Sequence, residues 1–272
     1  MDSHTQHFLE HLRVATEDKR GAAPITIVFA NSAYSDILDN WLRHALPFVG
    51  KDLIVFALDE SMDARACSLG VCSILLPFNG LLDELWLFRV RVFEALVNLG
   101  VNFIHSDADA VWLADPRQYC SDLDVDLAIS PGTVWPFEAV ELWGFVLCCG
   151  FFCARATPKM ASFLQQVKQT TIVHRDDQAA LNRVLLKAGV DWGTDTLAYD
   201  VQEVMERQFR NYDRVVFGRT VSAFDLKLAL LPQHLFQRVP RASDMALVKH
   251  PLTPKEPAAQ ISVLREHGCW RD

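Results

Sequence analysis

The sequence predicts an α/β fold, one domain built on a mostly parallel central sheet with helices on both faces. Three observations carry that expectation. Apolar runs of strand length alternate with stretches of helical periodicity. No internal repeat or low-complexity tract interrupts the alternation. Half of the 272 residues are apolar and 22% are charged, the mix of a globular chain long enough to bury a large core.

Pro24 to Ala30 (PITIVFA) reads as a buried strand. Tyr34, Ile37, Leu38, Trp41, Leu42 and Ala45 then fall at helical spacing, with Asn31 or Ser32 as the expected cap. Leu53 to Leu58 is a second strand and Val71 to Leu76 a third. Leu85, Phe88, Val92, Leu96 and Leu99 line one face of a helix that Gly100 stops. Val101 to His105 is a fourth strand. Strands separated by such helices imply parallel pairing.

The second half is less regular. Val125 to Ser130, Phe145 to Cys153 and the short Val215 to Phe217 read as strands, and Gln178 to Ala188 as a helix. From Pro232 onward proline is frequent, which predicts a chain laid along the domain surface. No linker divides the chain. The expected organisation is an extension over 1–23 and one domain over 24–272, with a nucleotide-binding half (24–116) and an acceptor half with a closing segment (117–272).

Lys and Arg number 26 against 34 Asp and Glu, a net charge of −8, which argues against a general nucleic-acid binder. The seven cysteines form no Cys-x-x-Cys pair, so neither a zinc ribbon nor a thioredoxin motif is present. Reduced thiols, no apolar leader at the N-terminus and no apolar run of membrane-spanning length together predict a cytoplasmic protein without a membrane span.

The sharpest feature is SDADAVWLADP, residues 106–116, where an apolar strand runs into Asp107 and Asp109. Ligands of open parallel sheets bind beyond the carboxyl ends of the strands. Two carboxylates at i and i+2 can converge there on one hard cation, and Mn²⁺ or Mg²⁺ bridges readily to phosphate oxygens. The chemistry indicated is a metal-held diphosphate as leaving group.

In these residues the sequence resembles the nucleotide-diphospho-sugar transferases whose acidic motif reads D-x-D-[VA]-V-W-L-x-[DN]-P. That group includes plant cell-wall xylosyl- and arabinosyltransferases and a protist cytoplasmic galactosyltransferase. The resemblance runs from about Ile25 to Trp270. Further blocks in the same order support it: AYSDILDNWL (33–42), CGFFCARAT (149–157), DDQAALN (176–182), LPQHLFQ (231–237) and the tail from His250 to Trp270.

The resemblance implies a retaining transferase of the GT-A fold that uses a UDP-linked nucleotide sugar and a divalent metal, Mn²⁺ or Mg²⁺. It implies that Asp107 touches ribose and metal, that Asp109 binds the metal, and that His250 is the third ligand. Lys255 would reach the diphosphate, Arg89 would face the donor, and Asn31 and Tyr34 would meet the nucleoside. Asp177 would hold donor-sugar hydroxyls, with the Gln178 amide opposite the leaving group. Gly150 would let backbone approach the sugar. An amide is a poor nucleophile, so same-face substitution is favoured over a covalent intermediate. The acceptor implied is a glycan, a protein or a small molecule.

Two departures stand out. Cys148-Cys149 replaces the usual Asn-Ser or Asn-Thr, and the tail lacks the usual Asn-Trp and Gly. Structural readings compete at several positions: Arg89 paired with Glu84 or Glu94, Tyr34 in the core, and Asp176 with Asp177 as a helix start. Trp135, Trp143 and Trp192 are read first as core and second as faces for an acceptor sugar. Two other classes fit in part. A haloacid-dehalogenase-like phosphatase would use Asp107 as nucleophile, although about 100 residues precede the motif here. A non-catalytic nucleotide-sugar-binding module would account for Cys148-Cys149.

Overall fold

The structure, a computed structural model, describes residues 3–21, 23–76, 82–240 and 245–272. The strands are β1 Ile25–Ala30, β2 Leu53–Ala57, β3 Cys72–Leu75, β4 Phe103–Ser106, β5 Val111–Trp112, β6 Leu127–Pro131, β7 Leu147–Ala154, β8 Val190–Asp191, β9 Asp200–Val204, β10 Arg207–Asn211, β11 Val216–Thr220, β12 Lys227–Leu230, β13 Phe236–Gln237 and β14 Val248–Lys249. The helices are α1 Ser3–Ala15, α2 Ser35–Val49, α3 Glu60–Ser68, α4 Leu82–Asn98, α5 Arg117–Asp122, α6 Phe137–Trp143, α7 Pro158–His174, α8 Asp177–Ala188 and α9 Pro257–Glu266.

Among the described residues the main sheet has nine strands in the order β3-β2-β1-β4-β7-β6-β12-β11-β8. Pairing is parallel from β3 to β4 and between β6 and β12. It is antiparallel where β7 meets β4 and β6, and where β11 meets β12 and β8. Strands β1 to β4, β6, β8 and β12 therefore share one direction, and β7 and β11 oppose it. The mostly parallel α/β sheet expected from the sequence is present.

Strand alternation explains the continuous apolar runs. Ile25, Ile27, Ile54 and Phe56 face a core layer with Val92 and Leu96 of α4, Phe163 of α7 and Leu185 of α8. Val28, Ala30, Val55 and Ala57 face the opposite layer with Trp41 of α2, Met62 of α3 and Leu264 of α9. A strand buried on both faces has no polar register to display.

The expected cap of α2 is not formed. Asn31 makes no capping bond, and Ser32 donates from both its amide and its hydroxyl to Asp59 Oδ2. Asp59 is fixed in turn by capping α3, accepting from the Met62 amide at 2.8 Å. At α8 the expected helix start holds, because Asp176 accepts from the Ala179 amide at 2.7 Å. The proline-rich tail is more than a surface strap. Strand β14 pairs antiparallel with β5 and parallel with β13, while Leu264 and Cys269 are fully buried. No described helix is long and apolar enough to cross a membrane.

Candidate active site

The site lies where the carboxyl end of β4 meets the start of β7. The β7 register against β6 jumps from Phe152 opposite Ile129 to Cys148 opposite Ser130, leaving residues 149–151 bulged. Bulges bend a strand and re-aim its residues. This one lets the Gly150 carbonyl accept from the Asp107 amide at 2.7 Å. The Asp107 carbonyl then accepts from the Ala110 amide, closing the turn that carries both acids.

His250 arrives by tertiary pairing. Strand β14 aligns Val248 with Trp112 and Lys249 with Val111, so the next residue falls beside the acidic turn. The His250 amide donates to the Gln237 carbonyl at 2.8 Å, and Arg238 donates to the carbonyls of His250 and Pro251 at 2.7 Å each. His250 Nε2 lies 3.2 Å from Asp109 Oδ1 and 4.0 Å from Asp107 Oδ2. One ligand atom from each of Asp107, Asp109 and His250 lies within 4.8 Å of the others. Two carboxylates and an imidazole make a donor set that fits Mn²⁺ or Mg²⁺.

Gly150 has a specific steric role. A Cβ there would stand 2.1 Å from His250 Cε1 and 2.9 Å from Asp107 Oδ2. The room at this glycine is thus filled by the imidazole and the carboxylate. The Cys148 departure sits in the same place: its Sγ is 3.8 Å from His250 Nδ1 and accepts from the Gly150 amide at 3.4 Å. Burial resists ionisation of Cys148, but Arg238 and then His250 bring its thiol below the usual range. Burial instead pushes Cys149 well up.

Arg89, 4% exposed, joins the acidic turn to the start of α8. Its Nη1 is 3.0 Å from Asp107 Oδ1, and its Nε is 3.1 Å from Asp177 Oδ2, an ion pair without hydrogen-bond alignment. Its Nη2 lies 2.8 Å from His105 Nε2 and donates to the Cys149 carbonyl at 3.2 Å. The rival pairing with Glu94 does not occur, since Glu94 is bound by Lys168. The Gln178 side chain bridges two backbones, accepting from the Cys149 amide at 3.2 Å and donating to the Trp135 carbonyl at 2.7 Å.

Tyr34 takes the core position read as its alternative. Its ring packs against the core layer of α2, and its hydroxyl donates to the Lys255 carbonyl at 2.5 Å. Burial and then Asp109 raise its pKa. That bond clips the closing segment to the loop after β1, while the Lys255 side chain is exposed. Asn31 Oδ1 is a buried acceptor without a hydrogen-bond partner among the described residues.

The ionisation pattern follows from contacts. Burial would raise Asp107, but Arg89 and then His105 hold it well below the usual carboxylate range. Burial likewise opposes Asp109, and His250 lowers it. Burial and Arg238 resist a charge on His250, yet Asp109 outweighs them and raises the imidazole to about 9. Burial, with Arg89 second, pulls His105 down to about 4. At Asp177 burial wins over Arg89 and pushes the carboxyl up to about 6.

Four contributors were not found from the sequence. Asp109 Oδ2 accepts from Thr253 Oγ1 at 2.8 Å and from Gln260 Nε2 at 2.5 Å. His105 Nε2 stands 3.1 Å from Asp107 Oδ1, and Arg238 shapes the closing loop. Only His105 carried a signal, a histidine next to the acidic turn in the strand read over 101–105.

Comparison with known proteins bears on this geometry. No curated protein matches the chain. Among solved structures, the WbbM bifunctional glycosyltransferase is similar over 60% of this chain and 37% of its own, at 12% identity and a TM-score of 0.42. The glycosyltransferase GlyE of Streptococcus pneumoniae TIGR4 is similar over 59% of this chain and 43% of its own, at 14% identity and a TM-score of 0.40. CMP:2-keto-3-deoxy-manno-octonic acid synthetase, solved with CTP, is similar over 62% and 87%, at 13% identity and a TM-score of 0.36. The chain thus spans less than half the length of the first two. A family model described as nucleotide-diphospho-sugar transferase matches residues 81–259, which include Arg89, both aspartates of the acidic turn, Asp177 and His250. With more than half of its length matched, the chain belongs to the nucleotide-diphospho-sugar transferase family.

Proposed function

We propose that the protein is a retaining, metal-dependent glycosyltransferase that moves a sugar from a UDP-linked donor to an acceptor hydroxyl. The observation that carries this reading is the convergence of Asp107, Asp109 and His250 at the carboxyl end of β4, within the residues the family matches. A bound Mn²⁺ or Mg²⁺ supplies charge neutralisation at the diphosphate and so favours departure of the nucleotide. Asp107, Asp109 and His250 would hold it.

The protein's own groups divide the remaining work. Residues 24–116 form the nucleotide half, in which Asn31 and Tyr34 meet the nucleoside and Asp107 also faces the ribose. Residues 117–272 supply the sugar and acceptor side and the closing segment. Exposed Lys255 offsets charge on the diphosphate. The Arg89 guanidinium is engaged internally on both sides, which suits holding Asp107 and Asp177 in place beside the donor. Asp177, 5% exposed and paired with Arg89, is suited to orienting sugar hydroxyls and not to attack. With the Gln178 amide tied to two backbones, same-face substitution is favoured. The acceptor O–H bond breaks, its oxygen bonds to the anomeric carbon, the bond from that carbon to the phosphate oxygen breaks, and the proton passes to the departing phosphate. Seven free thiols fit a cytoplasmic setting.

The phosphatase alternative asks Asp107 to attack phosphorus, yet Asp107 Oδ1 is clamped by Arg89 and His105. A panel of nucleotide sugars scored for Mn²⁺-dependent nucleotide release tests the proposal. Release from a UDP-sugar is expected. Turnover of a generic phosphoester that is lost in Asp107→Ala, with every nucleotide sugar left intact, would overturn it.

A further inference from the structure

The chain has seven tryptophans. Trp41 and Trp112 are wholly buried, and Trp143 and Trp192 are 6% and 5% exposed, but Trp135 keeps 42% of its surface. A single exposed apolar side chain is ordinary. This one is unusual in how it is held. Its indole Nε1 donates to Asp176 Oδ2 at 3.1 Å, its carbonyl accepts from Gln178 Nε2 at 2.7 Å, and Phe137 packs edge-on at 5.2 Å and 90°. The polar handle through which an indole usually meets water is spent on Asp176. What the ring offers outward is an apolar face in a fixed pose.

Its place along the sheet gives that face a use. In the order β1, β4, β7, β6, the strand ends carry first Asn31 and Tyr34, then Asp107 and Asp109, then Cys148 to Gly150, and last the segment bearing Trp135. Gln178 links the last two, bound at one end to Cys149 and at the other to Trp135. Trp135 therefore lies beyond the sugar-positioning pair, on the side away from the nucleotide end. Next to it, the exposed Arg207 guanidinium stacks 3.7 Å over the Phe137 ring and brings N–H donors to the platform edge. A pyranose or furanose ring requires both features, an apolar face for its C–H side and donors for its hydroxyls. An isolated Ser or Thr hydroxyl of a protein acceptor requires neither.

We infer that Trp135 is the platform on which the acceptor sugar stacks, so the acceptor of this transferase is a carbohydrate. The inference rests on the glycosyl-transfer reading for the word acceptor, but binding tests it separately from turnover. Methyl glycosides of galactose, glucose, xylose and arabinose are added to the full chain without donor and followed by saturation-transfer NMR. At least one is expected to receive saturation at its ring C–H protons, with binding about tenfold weaker in Trp135→Ala and partly restored in Trp135→Phe. In chain labelled with 5-fluorotryptophan, the resonance missing from Trp135→Phe is expected to shift with the same glycoside, which needs no alanine variant to fold. Failure of every glycoside to bind, or equal binding by wild type and Trp135→Ala, overturns the inference. Glycoside binding through Trp135 in a protein that releases nucleotide from no donor would sink the transferase reading and leave the platform standing.

Discussion

At the end of β4, Asp107 and Asp109 keep 30% and 13% of their side-chain surface; at the start of α8, Asp177 keeps 7%. Arg89 touches both regions, yet the first pair is held ionised and Asp177 is pushed up to about 6. The difference lies in the partners. Asp107 has Arg89 and His105, and Asp109 has His250, Thr253 and Gln260. Asp177 Oδ2 has the edge of one guanidinium at 3.1 Å, without hydrogen-bond alignment. At Asp107 and Asp109 the facing cations outweigh burial, whereas at Asp177 burial, joined by the neighbouring charges of Asp107 and Asp176, outweighs Arg89. A permanently charged pair suits a cation; a loosely held acid suits neutral hydroxyls.

Removing the shared residue should break the comparison most severely. Arg89→Met leaves two acids without their buried cation and should cost about 3–5 kcal/mol of stability, read from urea unfolding. Asp109→Ala attacks only the first region. It should lower Mn²⁺-dependent nucleotide release by at least about a hundredfold while the far-UV spectrum is unchanged, and full activity would refute the metal assignment. Gly150→Ala reaches the same region through sterics. A Cβ 2.1 Å from His250 Cε1 forces the imidazole aside, and Mn²⁺ affinity should fall about ten- to a hundredfold in a direct titration.

Asp177→Asn sharpens the contrast from the other side. With its folded pKa raised from 3.8 to about 6, Asp177 contributes stability that is complete below 3.8 and lost as pH rises through 6. Asp107 and Asp109, shifted the other way, contribute stability that is lost as pH falls below 3.8. Between pH 4 and 7 the Asn variant should therefore gain on the wild type by about 1–3 kcal/mol in parallel urea titrations. Curves that stay parallel would mean that Asp177 is better satisfied than its contacts indicate.

How much of this was legible in the sequence follows the same division. Strands β1, β2 and β4 read clearly because burial on both faces leaves no polar position to blur them. The acidic turn read clearly because both acids come from one strand end. The groups that tune it did not, since Gln260 and Thr253 lie 151 and 144 residues from Asp109 and sit in segments with no pattern of their own. The tail misled through its prolines: β13 and β14 are two residues each, too short for periodicity, and the pairing of β14 with β5 is what delivers His250. The β9–β10 hairpin went unread because most of its residues are exposed and display no apolar face. Arg89 is singled out by the sequence, but its tie to Asp177 joins α4 to α8 across the fold, which neither helix's sequence encodes.

His44 gives the comparison its control, burial with no anionic partner. It lies on α2, 4% exposed, with neither ring nitrogen hydrogen-bonded among the described residues. Burial and then Arg271 pull its pKa from 6.5 to about 4, against a weak contact with the Trp112 backbone. The folded state therefore keeps the ring neutral where the unfolded chain would charge it. Stability from this neutral form is complete above pH 6.5 and lost as pH falls toward 4, the reverse of Asp177 over much of the same range. His44→Phe fills similar space with no nitrogen to protonate. Between pH 7 and 4.5 the wild type should lose about 1–3 kcal/mol relative to this variant, read from urea midpoints of the two proteins at each pH. A constant difference across that range would show that the imidazole finds water or a partner when charged, and that burial does not set the pKa of His44.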